Sequence, residues 1–127
     1  MLTSPFRLAS IAALIVGMSV STVTGADLNF NRDILPILSD TCFKCHGPDE
    51  AERKADLRLD TREGLFRSSD DFQVVVPNHP AKSELYRRLT SEDPDERMPP
   101  PDSKRELSEH QVASIRRWIG RWVRAPC

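Results

Sequence analysis

The last third of the chain carries the clearest helical pattern. Its apolar residues recur at intervals of three or four positions, at Val112, Ile115, Ile119 and Trp122, and this is the spacing of one face of an α-helix. Ser108 and Gln111 come just before this run, at the spacing of a capping box, and Leu107 and Val112 can form a hydrophobic staple. The sequence therefore predicts a well-capped C-terminal helix with one apolar face.

A second helical pattern lies near the other end, from Asp27 to Asp40. Its apolar positions are Phe30, Ile34, Ile37 and Leu38. Asp33 is the expected N-cap, which would place Pro36 in the first turn, where its missing N–H costs no helical hydrogen bond. The two apolar faces are of similar length, so we expect the two terminal helices to pack against each other.

The segments in between predict short elements and turns. Asp60-Thr61-Arg62-Glu63 has the spacing of a cap that opens a short helix before Gly64, and residues 57–59 and 73–76 favour extended pieces. Asn78-His79-Pro80 indicates a turn, followed by a helix from Pro80 to Leu89 that buries Ala81, Leu85 and Leu89. Ser91 to Lys104 is a polar, proline-rich loop. The pattern indicates a small helical domain with long connections.

Residues 1–25 have the pattern of a secretory signal peptide. Arg7 supplies the positive charge, Leu8 to Val20 form the apolar core, and Val23-Thr24-Gly25 offers small residues for cleavage. The apolar core is shorter than the roughly 20 residues that a membrane-spanning helix needs. We therefore expect a mature domain of residues 26–127, exported to the periplasm or beyond, with no stable membrane span after cleavage.

The charge of the chain is nearly balanced, and this gives no support to a nucleic-acid partner. The formal charge is −1, and it becomes −2 once Arg7 leaves with the signal. The charge is uneven, with an acidic stretch from Glu92 to Asp102 and four arginines in the segment from Arg116 to Arg124. Such asymmetry can steer a redox partner, although it is more often an ordinary solvated surface.

Cys42-Phe43-Lys44-Cys45-His46 spells C-x-x-C-H, the attachment sequence of covalent haem. The two thiols add to the haem vinyl groups, and the histidine is then held where its imidazole meets the iron. A zinc site and a redox dithiol are the alternatives. Zinc would need further ligands, and the mature chain offers only Cys127, His79 and His110. A redox dithiol would follow a buried strand, whereas the preceding residues have helical spacing. The sequence favours one haem, since no second C-x-x-C-H is present.

Met98 is the leading candidate for the second axial ligand of the iron. Met1 and Met18 leave with the signal, and Met98 stands before three prolines that stiffen its loop. A thioether ligand favours ferrous iron and raises the reduction potential. His79 and His110 could compete, but we expect both on the surface.

The sequence also predicts three roles for residues around the haem. The carbonyl of Gly47 or Pro48 is expected to accept the second ring N–H of His46. Arg58 or Arg97 could pair with a haem propionate. The remaining expectation is that Trp118 and Trp122 serve packing rather than electron relay.

With these residues in place, the chain resembles the planctomycete-type cytochrome c domain from about Phe30 to Ile119. The resemblance is carried by Ile34-Leu35-Pro36-Ile37-Leu38, Cys42-Phe43-Lys44-Cys45-His46-Gly47-Pro48, Leu57-Arg58-Leu59-Asp60, Ser83-Glu84-Leu85, Asp95-Glu96-Arg97-Met98-Pro99-Pro100-Pro101 and Arg116-Arg117-Trp118-Ile119. Two features depart from the family pattern. Asn78-His79 stands where the family commonly has a glycine followed by a polar residue. The chain also diverges after Ile119, where family members usually continue toward further domains. We expect either a freestanding cytochrome or a truncated piece, in which Cys127 has no functional role.

The resemblance implies an all-α, class-I-like cytochrome c fold with the terminal helices packed around one covalent haem c. It implies that Cys42 and Cys45 form the thioethers, that His46 is the proximal ligand and that Met98 is the distal ligand. The expected function is electron transfer to redox partner proteins, and the chain is not expected to be an enzyme by itself. The alternatives are the electron-entry module of a larger exported oxidoreductase, and a haem sensor or peroxidase-like module whose Met98 can be displaced.

Overall fold

The computed structural model describes residues 27–121, and the chain there is helical. Its α-helices are α1 (Leu35–Thr41), α2 (Arg62–Leu65), α3 (Glu84–Leu89) and α4 (Glu109–Gly120), with a π-helical turn at Phe30–Ile34 and 3₁₀ turns at Pro80–Lys82 and Pro101–Ser103. In this range no strand forms, and the β-bridge between Ser68 and Gln73 is isolated. The predicted all-α class is therefore confirmed. The proposed signal peptide, Trp122 and Cys127 lie outside the described residues.

The π-helical turn and α1 together form the predicted N-terminal helix, but its cap differs from the expected one. The Asn29 side chain accepts from the Arg32 N–H at 3.0 Å, and the Asp33 carboxylate accepts from the Asn29 N–H at 2.8 Å. Asn29 has extended backbone angles and Asp33 lies inside the first turn. The N-cap is thus Asn29 rather than Asp33, while Pro36 lies in the first turn of α1 as predicted.

Helix α4 has the predicted cap and the predicted packing partner. The Ser108 side chain accepts from the Gln111 N–H at 3.2 Å, and the Gln111 side chain accepts from the Ser108 N–H at 2.8 Å, which completes the capping box. Ile115 and Ile119 are fully buried. The Trp118 ring lies 5.2 Å from the Phe30 ring, so α4 packs on the N-terminal turn. Trp118 therefore serves packing, as expected.

The predicted helix from Pro80 to Leu89 is divided at Ser83. This residue is fully buried, and its hydroxyl donates to the His79 carbonyl at 3.0 Å and accepts from the Val76 N–H at 2.9 Å. These bonds fix Ser83 in extended geometry, which ends the 3₁₀ turn and begins α3. Leu85 is buried as expected, but Ala81 is exposed because it precedes this break.

The middle of the chain contributes buried side chains without forming sheet. Thr61 caps α2 by accepting from the Gly64 N–H at 3.1 Å, as its sequence indicates. Val74 and Val75 enter the core, and the Val74 carbonyl accepts from the Leu85 N–H at 3.0 Å. The expected extended pieces at residues 57–59 and 73–76 therefore line the interior as irregular chain.

The core of the described domain joins all these parts. Its buried apolar residues are Ile34, Ile37, Leu38, Leu59, Leu65, Val74, Val75, Leu85, Ile115, Trp118 and Ile119. None of the helices within residues 27–121 has the length and apolar character needed to cross a membrane.

Candidate functional site

The C-x-x-C-H motif folds as a tight turn at the end of α1. The Cys42 N–H donates to the Leu38 carbonyl at 2.8 Å, and the Cys42 carbonyl accepts from His46 at 2.8 Å and Cys45 at 3.1 Å. Two later residues also bond the motif: the Lys54 N–H donates to the Cys45 carbonyl at 2.7 Å, and the Leu59 N–H donates to the His46 carbonyl at 2.8 Å. The backbone of the motif is therefore held at both sides, and this fixes where its three functional side chains lie.

Gly47 is the residue that closes this turn. A Cβ at Gly47 would lie 2.1 Å from the Phe43 carbonyl oxygen and 2.9 Å from its carbonyl carbon. Both atoms belong to the backbone of the motif, so a larger residue has to displace the motif itself. The absence of a side chain at position 47 is thus part of what shapes the site.

We expect Gly47→Ala to destabilise the folded chain by about 1–3 kcal/mol or more, because the methyl group collides with backbone that cannot move independently. Denaturant unfolding of the full chain measures the change. Gly120→Ala is the matched control, since its Cβ would meet Pro80 at an ordinary 3.5 Å. Equal stability of the two variants would show that the turn tolerates a side chain.

A cavity of about 300 Å³ lies beside the motif, within the size range of small-molecule and cofactor sites. Cys42, Cys45 and His46 line one part of it, and Met98 lines another. Most of the remaining lining is apolar: Leu57, Leu59, Phe72, Val74, Leu85, Leu89, Pro99 and Pro100. The structure therefore brings all four predicted site residues to one apolar cavity.

His46 presents one ring nitrogen to the protein. Its Nδ1 lies 3.2 Å from the Lys54 carbonyl oxygen, and because a carbonyl only accepts, Nδ1 carries the proton. Burial lowers the pKa of His46, with a further contribution from the nearby Arg88 charge, against the opposing effect of the Lys54 bond. The imidazole is consequently neutral at pH 7, and Nε2 is the nitrogen with a free electron pair.

The carbonyl partner of His46 corrects the sequence-based expectation. The carbonyls of Gly47 and Pro48 accept from the Arg53 guanidinium, at 3.0 and 3.1 Å, and not from the imidazole. The Lys54 N–H donates to the Cys45 carbonyl at 2.7 Å, and this backbone bond holds Lys54 against the motif. The same tautomer of His46 results, but from a different residue.

The two cysteines are free thiols in this site. Burial raises the pKa of Cys42, and the Thr41 hydroxyl lies 3.4 Å from its sulfur. A redox dithiol needs a depressed pKa on its nucleophilic cysteine, and the environment of Cys42 acts in the opposite direction. Across residues 27–121 no three His, Cys, Asp or Glu side chains are grouped to hold a metal ion.

Met98 reaches the cavity on a loop anchored to α3. Its N–H donates to the Arg88 carbonyl at 3.0 Å, and the Met98–Pro99 peptide bond is cis. Pro99 and Pro100 line the cavity beside it. The Met98 backbone is therefore held by a hydrogen bond to a helix, and not only by the stiffness of the prolines.

An ion-pair network joins this loop to α3. The Glu84 carboxylate accepts from Arg87 at 2.7 and 2.8 Å and from Arg88 at 2.7 Å, while Arg87 also donates to Glu96 at 2.6 Å. The hydrogen bonds from Arg87 are the main reason that the pKa of Glu84 lies below its ordinary value. Burial acts in the opposite direction, and the bond from Arg88 lowers the pKa further. Glu84 is thus ionised at neutral pH. None of the residues in this network is among the site residues predicted from the sequence.

The other histidines and the predicted propionate partners lie elsewhere. His79 and His110 are exposed, as expected, and neither lines the cavity. Arg58 pairs with Asp60 at 2.6 Å, and the Arg97 side chain donates to the Ser91 carbonyl at 3.1 Å.

Arg88 and Arg105 are the arginines on the cavity wall, and neither is among the propionate partners predicted from the sequence. Arg88 follows the buried Leu85 by three residues, so helical spacing could have placed it on the same face. Arg105 donates to the Asp40 carbonyl, a contact between distant parts of the chain that no local pattern reveals.

A comparison with protein-family models agrees with these observations. Residues 42–102 match the model described as Planctomycete cytochrome C, a segment slightly shorter than half of the chain that runs from Cys42 past Met98. Neither the curated proteins nor the solved structures contain a match to the chain. Residues 42–102 are thus similar to the planctomycete cytochrome c family, in agreement with the resemblance seen in the sequence.

Proposed function

We propose that this chain holds one covalent haem c and transfers single electrons between partner proteins. The observation that carries the proposal is the single apolar cavity that Cys42, Cys45, His46 and Met98 share. Two thiols, a neutral imidazole and a thioether are the donor set of a His/Met-ligated cytochrome c. The residues present therefore fit the cofactor that the family implies.

Each of the four residues has a distinct role in the proposal. Cys42 and Cys45 form the thioether bonds, and His46 is the proximal ligand through Nε2, because Nδ1 is engaged by the Lys54 carbonyl. The hydrogen bond from Nδ1 orients the ring and raises its basicity. Met98 is the distal ligand. When bound, haem supplies a one-electron ferric/ferrous couple.

The cavity wall contributes to the same function. Apolar side chains exclude water, which strengthens the effect of nearby charges on the iron. Arg88 and Arg105 replace Arg58 and Arg97 as the proposed partners of the propionates, since they are the arginines that line the cavity. Two axial ligands leave no open position for a substrate, so we propose a carrier rather than an enzyme.

The proposed fold is a class-I-like cytochrome c arrangement. In support, the N-terminal turn packs on α4 through Phe30 and Trp118, and the haem motif follows α1 directly. We also propose that the chain acts in the periplasm with redox partner proteins. The secretory pattern of residues 1–25 supports this location.

A redox titration of the matured full chain tests the proposal. We expect one haem per chain with a haem c pyridine haemochrome spectrum, and a reversible one-electron transition with a single midpoint. The oxidised protein should show the weak far-red band of a sulfur-to-iron bond and should react only slowly with cyanide. Rapid binding of cyanide or peroxide by the untreated protein would favour the sensor or peroxidase-like alternative.

A further inference from the structure

The segment that carries Met98 is tied to α3 at three points. The Met98 N–H donates to the Arg88 carbonyl at 3.0 Å, and the Arg88 guanidinium donates to the Glu96 carbonyl at 3.3 Å. Arg87 reaches the Glu96 carboxylate at 2.6 Å. Two of these three ties are made by arginine side chains, so the position of Met98 depends on how those side chains are held.

Glu84 holds both arginines. Its carboxylate accepts two hydrogen bonds from Arg87 and one from Arg88, all at 2.7–2.8 Å, and its side chain is only 16% exposed. The arginines are more open, at 44% and 37%. A guanidinium that is anchored on one side loses less conformational freedom when it binds on the other. Glu84 thus prepares Arg87 and Arg88 for their contacts with Glu96.

We infer that Glu84 is a positioning residue that, through Arg87 and Arg88, holds the Met98 segment in place and limits how often Met98 leaves the iron. This inference rests on the proposed function, in which Met98 is the distal ligand. Glu84 lines the cavity, as Arg88 does, but both of its carboxylate oxygens accept from the two arginines. It acts on the loop that carries the ligand.

The alternative role for Glu84 is to stabilise α3, because an acidic residue in the first turn of a helix stabilises that helix. That role predicts a loss of fold stability and no specific effect on Met98. The two roles differ in one measurable quantity, the rate at which cyanide binds ferric haem, because cyanide must wait for Met98 to dissociate.

The experiment compares cyanide-binding rates of the matured full chain as wild type and as Glu84→Gln. Glutamine keeps the shape but replaces one acceptor oxygen by an amide N–H₂ that faces guanidinium donors, so at least one arginine bond is lost and the others lose their charge assistance. We expect binding about tenfold faster in the variant, as the loss of charge-assisted bonds of this kind implies. Thermal unfolding of the same samples measures any general loss of stability.

Asp60→Asn is the matched control. It removes the same charge from a carboxylate that is 15% exposed and pairs with Arg58 at 2.6 Å, away from α3 and from the Met98 segment. We expect its cyanide rate to stay within about twofold of wild type. Glu96→Gln, at a half-exposed site, removes only the Arg87 contact and should raise the rate by about threefold, even if Glu84→Gln folds poorly.

The outcomes separate the inference from the proposed function. If Glu84→Gln and Glu96→Gln both bind cyanide at the rate of Asp60→Asn, Glu84 is a structural residue and the inference is wrong. If the wild type already binds cyanide as fast as Met98→Ala, Met98 does not ligate the iron and the proposed function fails first. Faster binding in both network variants, with slow wild-type binding, supports the inference.

Discussion

The double variant Cys42→Ala, Cys45→Ala is expected to contain no covalently bound haem after expression with the maturation machinery. Both thiols line the cavity, and each would add to one vinyl group. Alanine keeps the turn, since it retains the backbone bonds that close the motif, but it offers no sulfur. Acidified organic solvent should therefore extract all haem from the variant and none from the wild type, as haem staining of denaturing gels will show.

Cys127→Ala is the control for this experiment, because it removes the remaining cysteine of the chain outside the motif and should leave the covalent haem intact. The single variants are informative as well. Each should keep one thioether, with a pyridine haemochrome band displaced toward that of free haem. Covalent haem in the double variant would show that attachment uses other residues and would contradict the assignment of Cys42 and Cys45.

The parts of the structure that the sequence predicts well are those built from neighbouring residues. Helix α4 is an example, since Ser108 and Gln111 bond each other across three residues and the apolar spacing sets the buried face. The Thr61 cap of α2 is another. Local hydrogen bonds and helical periodicity leave direct traces in the sequence.

The errors concern contacts that depend on folding of distant or ambiguous segments. Ser83 divides the predicted helix because its hydroxyl accepts from the Val76 N–H, seven residues earlier, a contact that helical spacing does not predict. Asn29 takes the cap expected of Asp33 because both residue types cap well and only the geometry decides. Lys54 becomes the partner of His46 because its N–H bonds the Cys45 carbonyl, a contact between separate segments that local patterns do not predict.

The candidate site divides in the same way. The C-x-x-C-H motif identifies Cys42, Cys45 and His46 directly from the sequence. Met98 is predicted because the other methionines leave with the signal peptide and because three prolines follow it. The structure adds that all of them line one cavity, together with Arg88 and Arg105. Within the network, Glu84 precedes Arg87 and Arg88 by three and four residues, a spacing that predicts ion pairs on a helix. The contact between Arg87 and Glu96 has no such signature, because it forms only when the loop folds onto α3.

The largest effect on the iron is expected from Met98→Leu. Leucine fills a similar volume, so the cavity keeps its packing, but it has no sulfur to donate. The far-red band should disappear and the reduction potential should fall, because a neutral thioether favours ferrous iron. If Met98 is bound about 99% of the time, its removal should raise the apparent cyanide affinity about 100-fold, equivalent to about 2.7 kcal/mol.

Spectroscopy and cyanide titration of the ferric protein measure these changes. Leu107→Ala is the matched control, since Leu107 packs against the core and does not line the cavity. It should lower thermal stability while preserving the far-red band and the slow reaction with cyanide. An unchanged spectrum in Met98→Leu would show that Met98 is not a ligand of the iron. In that case His79 and His110 would have to be tested next as ligands, although both are exposed and neither lines the cavity, so either would need the chain to rearrange to bring its imidazole to the haem.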